Sequence, residues 1–483
     1  MLFTTPEFFI FLIIVIASME LIRKQFWQHA ILLAASYFFY WWSGSIHILL
    51  LAGVTLASYF CGAKVFKAQT KKAKRIWLAI GTIIPLAVLA YFKYIDWGII
   101  SINSLLGMVG IGEIPLLNIA LPVGISFFTF QALSYVFDIY LGKIEHEEKF
   151  SRYALFIAFF PGLVAGPIVR ASEFLPQLKS KIVITRANIK IGVTLIIWGL
   201  FKKMVIADNV SQYVNIVYGN VSGYPSLYIL AATILFGIQI YCDFSGYANI
   251  AIGCAKILGL TLPENFNLPY LAHSVQDFWH KWHMTLSRFI QDYVYIPLGG
   301  NRKGHVRTYV NLIAAMLLCG LWHGAAWTFV IWGGYHGILL AAHRFLVKEK
   351  RIGTKSRFLA SSPGLLIKIL ITQIFVFIGW MIFRVQSLEE LGICVQKIIF
   401  FDFSFTTATR LACIACIAGV IVLFLLMCNK RIAGWIHTVC YFDYLGFCAR
   451  LRLQYWIIYI ALVVGAILLL SPPETAEFIY FAF

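Results

Sequence analysis

Charge is what this sequence has least of: Asp, Glu, Lys and Arg make up 12% of its 483 residues, against 61% hydrophobic side chains. A soluble globule needs a charged shell and is excluded, and a mean hydropathy of +0.83 places the chain among integral membrane proteins. Acids are scarcer than bases, 21 against 39, which leaves a net charge of +18. A fixed-period repeat, a low-complexity stretch and a polar linker are all missing, so one integral membrane domain over 1–483 is the simplest organisation. The first apolar stretch, Phe8 to Ile22, has neither a basic segment before it nor a small-residue cleavage site after it, which argues against a removable signal peptide. Cys61, Cys242, Cys254, Cys319, Cys413, Cys416 and Cys428 sit in apolar segments and read as small buried side chains, not as a disulfide framework.

What is present is a series of uncharged runs, among them Gln25 to Ala63, Ile76 to Phe92 and Leu453 to Pro473. They predict an all-α polytopic membrane protein with roughly 11 to 13 transmembrane or re-entrant helices. The basic residues fall in the breaks: Lys64, Lys67, Lys71, Lys72, Lys74 and Arg75 in one, Arg344 to Arg357 in another. That is the positive-inside pattern of a multi-pass membrane protein. It offers no single basic face for nucleic acid. Arg23 and Lys24 follow the first apolar stretch, so the N-terminus is expected outside the cytoplasm, and two further spans return the Lys64–Arg75 break to it. Lys143 to Arg152 and Arg170 to Lys190 both look cytoplasmic yet bracket one apolar segment containing Pro161-Gly162 and Gly166-Pro167. A broken or re-entrant element, or a kinked full span, accounts for it equally.

Ionisable groups inside apolar spans are costly and are functional candidates by default. Asp138 and Asp243 are two, and both also fit a structural role as helix-pinning partners. His323 lies in a run from Val306 to Phe345 bounded by basic breaks, which predicts a helical hairpin turning near Gly324 and puts His323 roughly 25 Å from the cytoplasmic end. A buried histidine on an apolar helix is commonly a hydrogen-bonded packing residue. Gly320 and Gly324 beside it leave space for a ligand to approach, Trp322 supplies a wall, and a neutral imidazole suits proton abstraction from a hydroxyl. Asp277, His280 and His283 are expected to share one helical face. No metal is assigned there, because a zinc site needs more ligands and second-shell acceptors than this segment offers. An interfacial amphipathic helix and a catalytic partner role for His283 both fit the pattern. Gly299, Gly300 and Gly304 with Arg302 and Lys303 form a basic turn that either cradles a donor phosphate or marks topology alone.

Taken together, these stretches resemble the membrane-bound O-acyltransferase family, in its bacterial branch that includes the membrane subunit of alginate O-acetylation. The resemblance is carried by 124–135, 160–168, 199–208, Asp243-Phe-Ser-Gly-Tyr247, 279–287, 292–302, Leu321-Trp-His-Gly-Ala325 and the aromatic tail 478–483, in that order. It implies a ring of helices around a central tunnel, a catalytic core of about 119–345, and O-acyl transfer with His323 as catalytic histidine and His283 as the second required polar position. Asp243, Trp322 and Asp277 are supporting or orienting candidates. The family's second acid in the 243–249 stretch is Asn249 here, so only Asp243 is carried over. The implied donor is acetyl-CoA or another acyl thioester or acyl carrier on the cytoplasmic side, with no bound cofactor. The implied partners are the bilayer, a periplasmic acetyltransferase and a polysaccharide acceptor. D-alanyl transfer to teichoic acid, or acetylation of peptidoglycan or cellulose, are the alternatives within the family. A transporter with His323 as proton relay is the alternative outside it, although inverted repeats are not found.

Overall fold

The computed structural model describes residues 1–402 apart from Arg23, Ser45, Ala165, Arg351, Thr354 and Lys355, scattered positions between 403 and 442, and residues 443–479 apart from Thr475. Arg23, Arg351, Cys413, Cys416, Cys428 and the tail from Tyr480 to Phe483 therefore lie outside the described residues. Of the described residues 77% are helical and none lies in a strand. Among the described residues six helices are individually long and apolar enough to cross a hydrocarbon core: His47–Lys67, Lys71–Met108, Ser226–Ile257, His305–His323, Ser362–Arg384 and Leu453–Leu470. Cys61, Cys242, Cys254 and Cys319 are buried free thiols.

The expected hairpin is present as His305–His323 and Trp327–His343, joined through Gly324. Its two glycines act differently from the expectation. A Cβ on Gly320 would lie 2.2 Å from the Phe329 carbonyl oxygen, and one on Gly324 would lie 2.0 Å from the Phe329 ring. The space they leave is filled by the returning helix, so they set the tightness of the hairpin and not an approach path for a ligand.

A second close pair sets the depth of another charge. Arg186–Leu200 packs on Ser226–Ile257 with Gly199 against Gly246, where a Cβ on Gly199 would meet the Gly246 carbonyl oxygen at 2.5 Å. Small residues let two backbones approach where lipid gives no hydrophobic drive. The chain then passes through a π-helical stretch, Phe201–Ala207, which turns Lys203 inward.

The segment around Pro161 and Gly166 is broken, as one of the two readings expected. Phe150–Ala158 ends at Phe159, a single turn Phe160–Leu163 follows, and the chain runs on non-helically toward Ala171–Phe174. Backbone freed from a helix inside a membrane must find donors or acceptors in the protein. Here the Phe160 N–H donates to Ser36 Oγ at 3.2 Å and the Ile168 N–H to Thr285 Oγ1 at 3.0 Å.

Lys93 lies 22 positions beyond Lys71 in one helix, and His323 lies 18 positions beyond His305 in another. Both counts amount to roughly 30 Å of rise. Since Lys93 and His323 touch, the breaks at 67–75 and 302–307 share one face of the molecule, and the break at 344–350, across the hairpin, shares it too. This is called the basic face below.

Candidate active site

His323 is the last residue of its helix, where the final carbonyls have no intrahelical donor. A lysine from far away in sequence supplies one. Lys93 Nζ donates to the Trp322 carbonyl at 2.6 Å and to the His323 carbonyl at 2.9 Å, while the Tyr94 hydroxyl donates to the Leu321 carbonyl at 2.7 Å. A cation at a helix C-terminus also offsets the negative end of the helix dipole. The imidazole itself is buried among aromatic rings, with centroids at 4.9 Å (Trp322), 5.0 Å (Trp332) and 5.3 Å (Phe383).

His283 sits 6.5 Å from His323, ring centre to ring centre, and Trp322 flanks both rings, at 5.7 Å from His283 and 4.9 Å from His323. The expected common face with His280 does not form. The helix Val275–Lys281 ends before His283, Trp282 is extended, and His283 takes a left-handed conformation with φ 41°. His283 is consequently turned into the interior while His280 is exposed. Asp277 stays with the outer side, where it accepts from Lys281 at 3.1 Å and pairs with His273 at 3.4 Å. Burial of Phe278, Trp279 and Trp282 removes the interfacial-helix reading of this segment.

The proton on His283 can be assigned from its neighbours. Asn265 Oδ1 accepts from the Thr285 backbone N–H at 3.2 Å and from Thr285 Oγ1 at 2.9 Å, which fixes the amide with its oxygen on that side. His283 Nδ1 lies 3.1 Å from the same oxygen and must be the donor. Nε2 is then the basic nitrogen of His283. Asn265→Leu is expected to lower kcat about tenfold with little change in acceptor KM, because it frees the ring to choose the other tautomer; steady-state kinetics check this.

Asp243, expected as a supporting or orienting group, lies in a buried ion cluster. Lys203 bridges Asp208 at 2.8 Å and Asp243 at 3.0 Å, all three side chains being buried. Asp243 Oδ2 also accepts from the Ile479 backbone N–H at 2.7 Å, and Lys203 Nζ donates to the Ala476 carbonyl at 2.8 Å. What Asp243 orients is the C-terminal strand of backbone. That places Phe478 on Tyr247, ring centroids 4.2 Å apart, and Glu477 beside the His323 cavity. Asp138, the other buried acid, accepts from Tyr293 at 2.6 Å and pairs with Lys143 at 3.4 Å.

Cavities approach the histidine from two sides. One, of about 270 Å³, is lined by His323 itself with Trp322, Lys93, Gly124, Ser126 and Glu477, on the side away from the basic face. Another, of about 290 Å³, enters from the basic face past Arg344, Lys348, His280 and Asn301 and is lined on the histidine's helix as far as Cys319. Cys319 is one turn, roughly 6 Å, short of His323. Arg302 and Lys303 are exposed and follow Asn301, a residue of this second cavity's wall, in sequence. Arg344 is partly held by Glu349 at 3.6 Å. The Tyr309 hydroxyl, with His305 and Arg344 behind it, keeps the Glu349 carboxyl below its ordinary value.

Lys93, Tyr94, Asn265, Glu477, Arg344 and Lys348 are site residues that the sequence reading did not single out. Lys93 was accessible to it: a lone lysine following the uncharged run Ile76–Phe92 obeys the same rule that picked out Asp243.

Residues 145–389 match the model of the membrane-bound O-acyltransferase family. The chain is 37% identical over 370 residues to the peptidoglycan O-acetyltransferase of Helicobacter pylori, covering 71% of this chain and 68% of that protein. It is 39% identical over 347 residues to the probable alginate O-acetylase AlgI of Pseudomonas aeruginosa, covering 71% and 64% respectively. To the teichoic acid D-alanyltransferase of Bacillus subtilis it is 28% identical over 276 residues, covering 55% of this chain and 69% of that one.

Proposed function

The chain belongs to the membrane-bound O-acyltransferase family, and from that premise we propose that it moves an acetyl group from a thioester at its basic, cytoplasmic face toward a polysaccharide on the opposite side of a bacterial inner membrane. The single observation that carries this reading is the placement of His323 in the wall of one cavity and one helical turn beyond the end of another that enters from the basic face. His323 takes the proton of an acceptor hydroxyl. The hydroxyl oxygen bonds to the acyl carbon, the carbon–sulfur bond breaks, and the thiolate leaves to be protonated on the basic side. His283, with Nε2 as its basic nitrogen, holds the reacting groups in line inside an aromatic and largely water-free setting, where alignment contributes much of the acceleration. The acceptor oxygen arrives through the cavity of Lys93 and Glu477, either on the glycan or on a periplasmic acetyltransferase that passes the acetyl group on. The identity to O-acetylating relatives, 37% and 39% against 28% for the D-alanyl relative, favours acetyl over D-alanyl.

The donor's phosphates meet the bases at the mouth of the cavity that enters from the basic face. Arg344 and Lys348 line it, and the exposed Arg302 and Lys303 follow Asn301 of its wall in sequence. The double variant Arg344→Gln/Lys348→Gln is expected to raise the KM for acetyl-CoA about tenfold while leaving the KM for acceptor unchanged, since two charge-assisted contacts to phosphate are lost. Arg302→Gln/Lys303→Gln should raise it less. An unaltered donor KM in the first variant would move the donor site elsewhere.

A further inference from the structure

Past Asn265, which bonds to His283, lies a third cavity, about 270 Å³ in volume, that the acyl-transfer chemistry does not use. Lys202 lines it. Its neighbour in sequence, Lys203, is neutralised by two carboxylates, but among the described residues no carboxylate pairs with Lys202. Lys202 Nζ donates to Ser245 Oγ at 3.3 Å and lies 5.7 Å from the centre of the Tyr241 ring. In the amide orientation that satisfies both of its ends, Asn249 accepts from Lys202 Nζ at 3.1 Å and donates to the Ser245 carbonyl at 3.3 Å. These contacts are all neutral, so the positive charge is solvated by dipoles and not cancelled. An ammonium held inside a membrane protein without a counter-charge is costly.

A second polar residue lines the same space. Asn265 is 1% exposed and lines this cavity; its Oδ1 is taken by His283 and Thr285, and its Nδ2 has no acceptor among the described residues. One cation and one buried amide N–H, both lacking an acceptor of matching charge, border a single chamber. The remaining walls are apolar or aromatic, chiefly Leu195, Trp198, Ile252 and Phe266, and exposed Glu264 borders it on the outside. That carboxylate disfavours ligands of charge −2 or more. The single positive charge inside matches one negative charge, and the hydrocarbon walls match an apolar body.

We propose that this chamber binds a monocarboxylate with a hydrocarbon tail, its carboxylate on Lys202 and Asn265. The site is separate from the donor and acceptor cavities and lies one amide away from His283. It takes the place of the counter-ion that Asn249, being an amide, does not provide.

The test uses the purified full chain in nanodiscs, with hexanoate, hexanol and inorganic phosphate as probes at constant ionic strength. Hexanoate is expected to give a saturable rise in melting temperature of roughly 2–5 °C in the natural sequence. Asn249→Asp supplies an internal carboxylate; it should melt higher than the natural sequence without hexanoate and lose the response to it. Lys202→Gln should lose the response as well. Oleate in the bilayer distinguishes a membrane fatty acid from a water-soluble acid as the source of the same head group. An equal effect of hexanol would mean that only apolar filling occurs, and an effect of phosphate without hexanoate would assign the site to a different anion. A hexanoate response that persists in Asn249→Asp, or no response in the natural sequence, overturns the proposal.

Discussion

Replacing His323 by alanine is expected to cut O-acetyl transfer by roughly 10²- to 10⁴-fold, the range over which a positioned general base acts. The loss should come without collapse of the fold, because the end of this helix is held through its backbone. Lys93 and Tyr94 bind the carbonyls of residues 321 to 323, and those bonds survive any side-chain change. His323→Gln serves as the companion variant, since it keeps more of the volume that Trp322, Trp332 and Phe383 pack against. Both are measured as purified protein, with transfer from a labelled thioester and thermal unfolding read side by side. A folded variant that transfers acetyl at the natural rate removes His323 from the chemistry.

Lys203→Met is expected to destabilise the protein by about 3–5 kcal/mol, the cost of leaving buried charge without its partner. The effect is large because one ammonium serves two carboxylates, Asp208 at 2.8 Å and Asp243 at 3.0 Å, in a place where none of the three side chains reaches solvent. The C-terminal backbone should loosen with it, since Lys203 and Asp243 together hold residues 476 to 479. Substituting the whole cluster, Lys203→Met with Asp208→Asn and Asp243→Asn, should recover most of the loss, as removing all charges leaves none unpaired. Unfolding in detergent by heat or denaturant checks both variants. If the triple variant is no more stable than the single one, packing and not electrostatics governs this cluster.

The parts of this fold that were legible in the sequence are those governed by the membrane and by local spacing. Two basic breaks about forty residues apart around an apolar run predict a hairpin, and the helices 305–323 and 327–343 follow from the 3.6-residue period and the rise per residue alone. The Pro and Gly pairs at 161–167 marked a disturbed helix for equally local reasons, but left a break and a kink equally open. Contacts across the sequence were not legible. Lys93 reaches Trp322 and His323 over more than 200 positions, and Asn265 reaches Thr285 and His283 through a turn that spacing cannot reveal. His283 shows why helical periodicity misleads: its positive φ is rare for a residue with a Cβ, and it converts an expected shared face with His280 into opposite placements. Gly320 and Gly324 show that a glycine beside a functional residue has two readings, open space or close packing, and only the position of Phe329 decides between them.

The most direct measurement of the central claim follows an isotopically labelled acetyl group across a sealed bilayer. The protein is reconstituted in proteoliposomes with its basic face outward, acetyl thioester outside, and the polysaccharide with its periplasmic acetyltransferase enclosed. Label should accumulate on the enclosed glycan while the free thiol stays outside, and both should fall to background with His323→Ala. Label that reaches the glycan only when thioester is enclosed with it, or that crosses undiminished in the variant, would contradict transfer through this histidine from one face to the other.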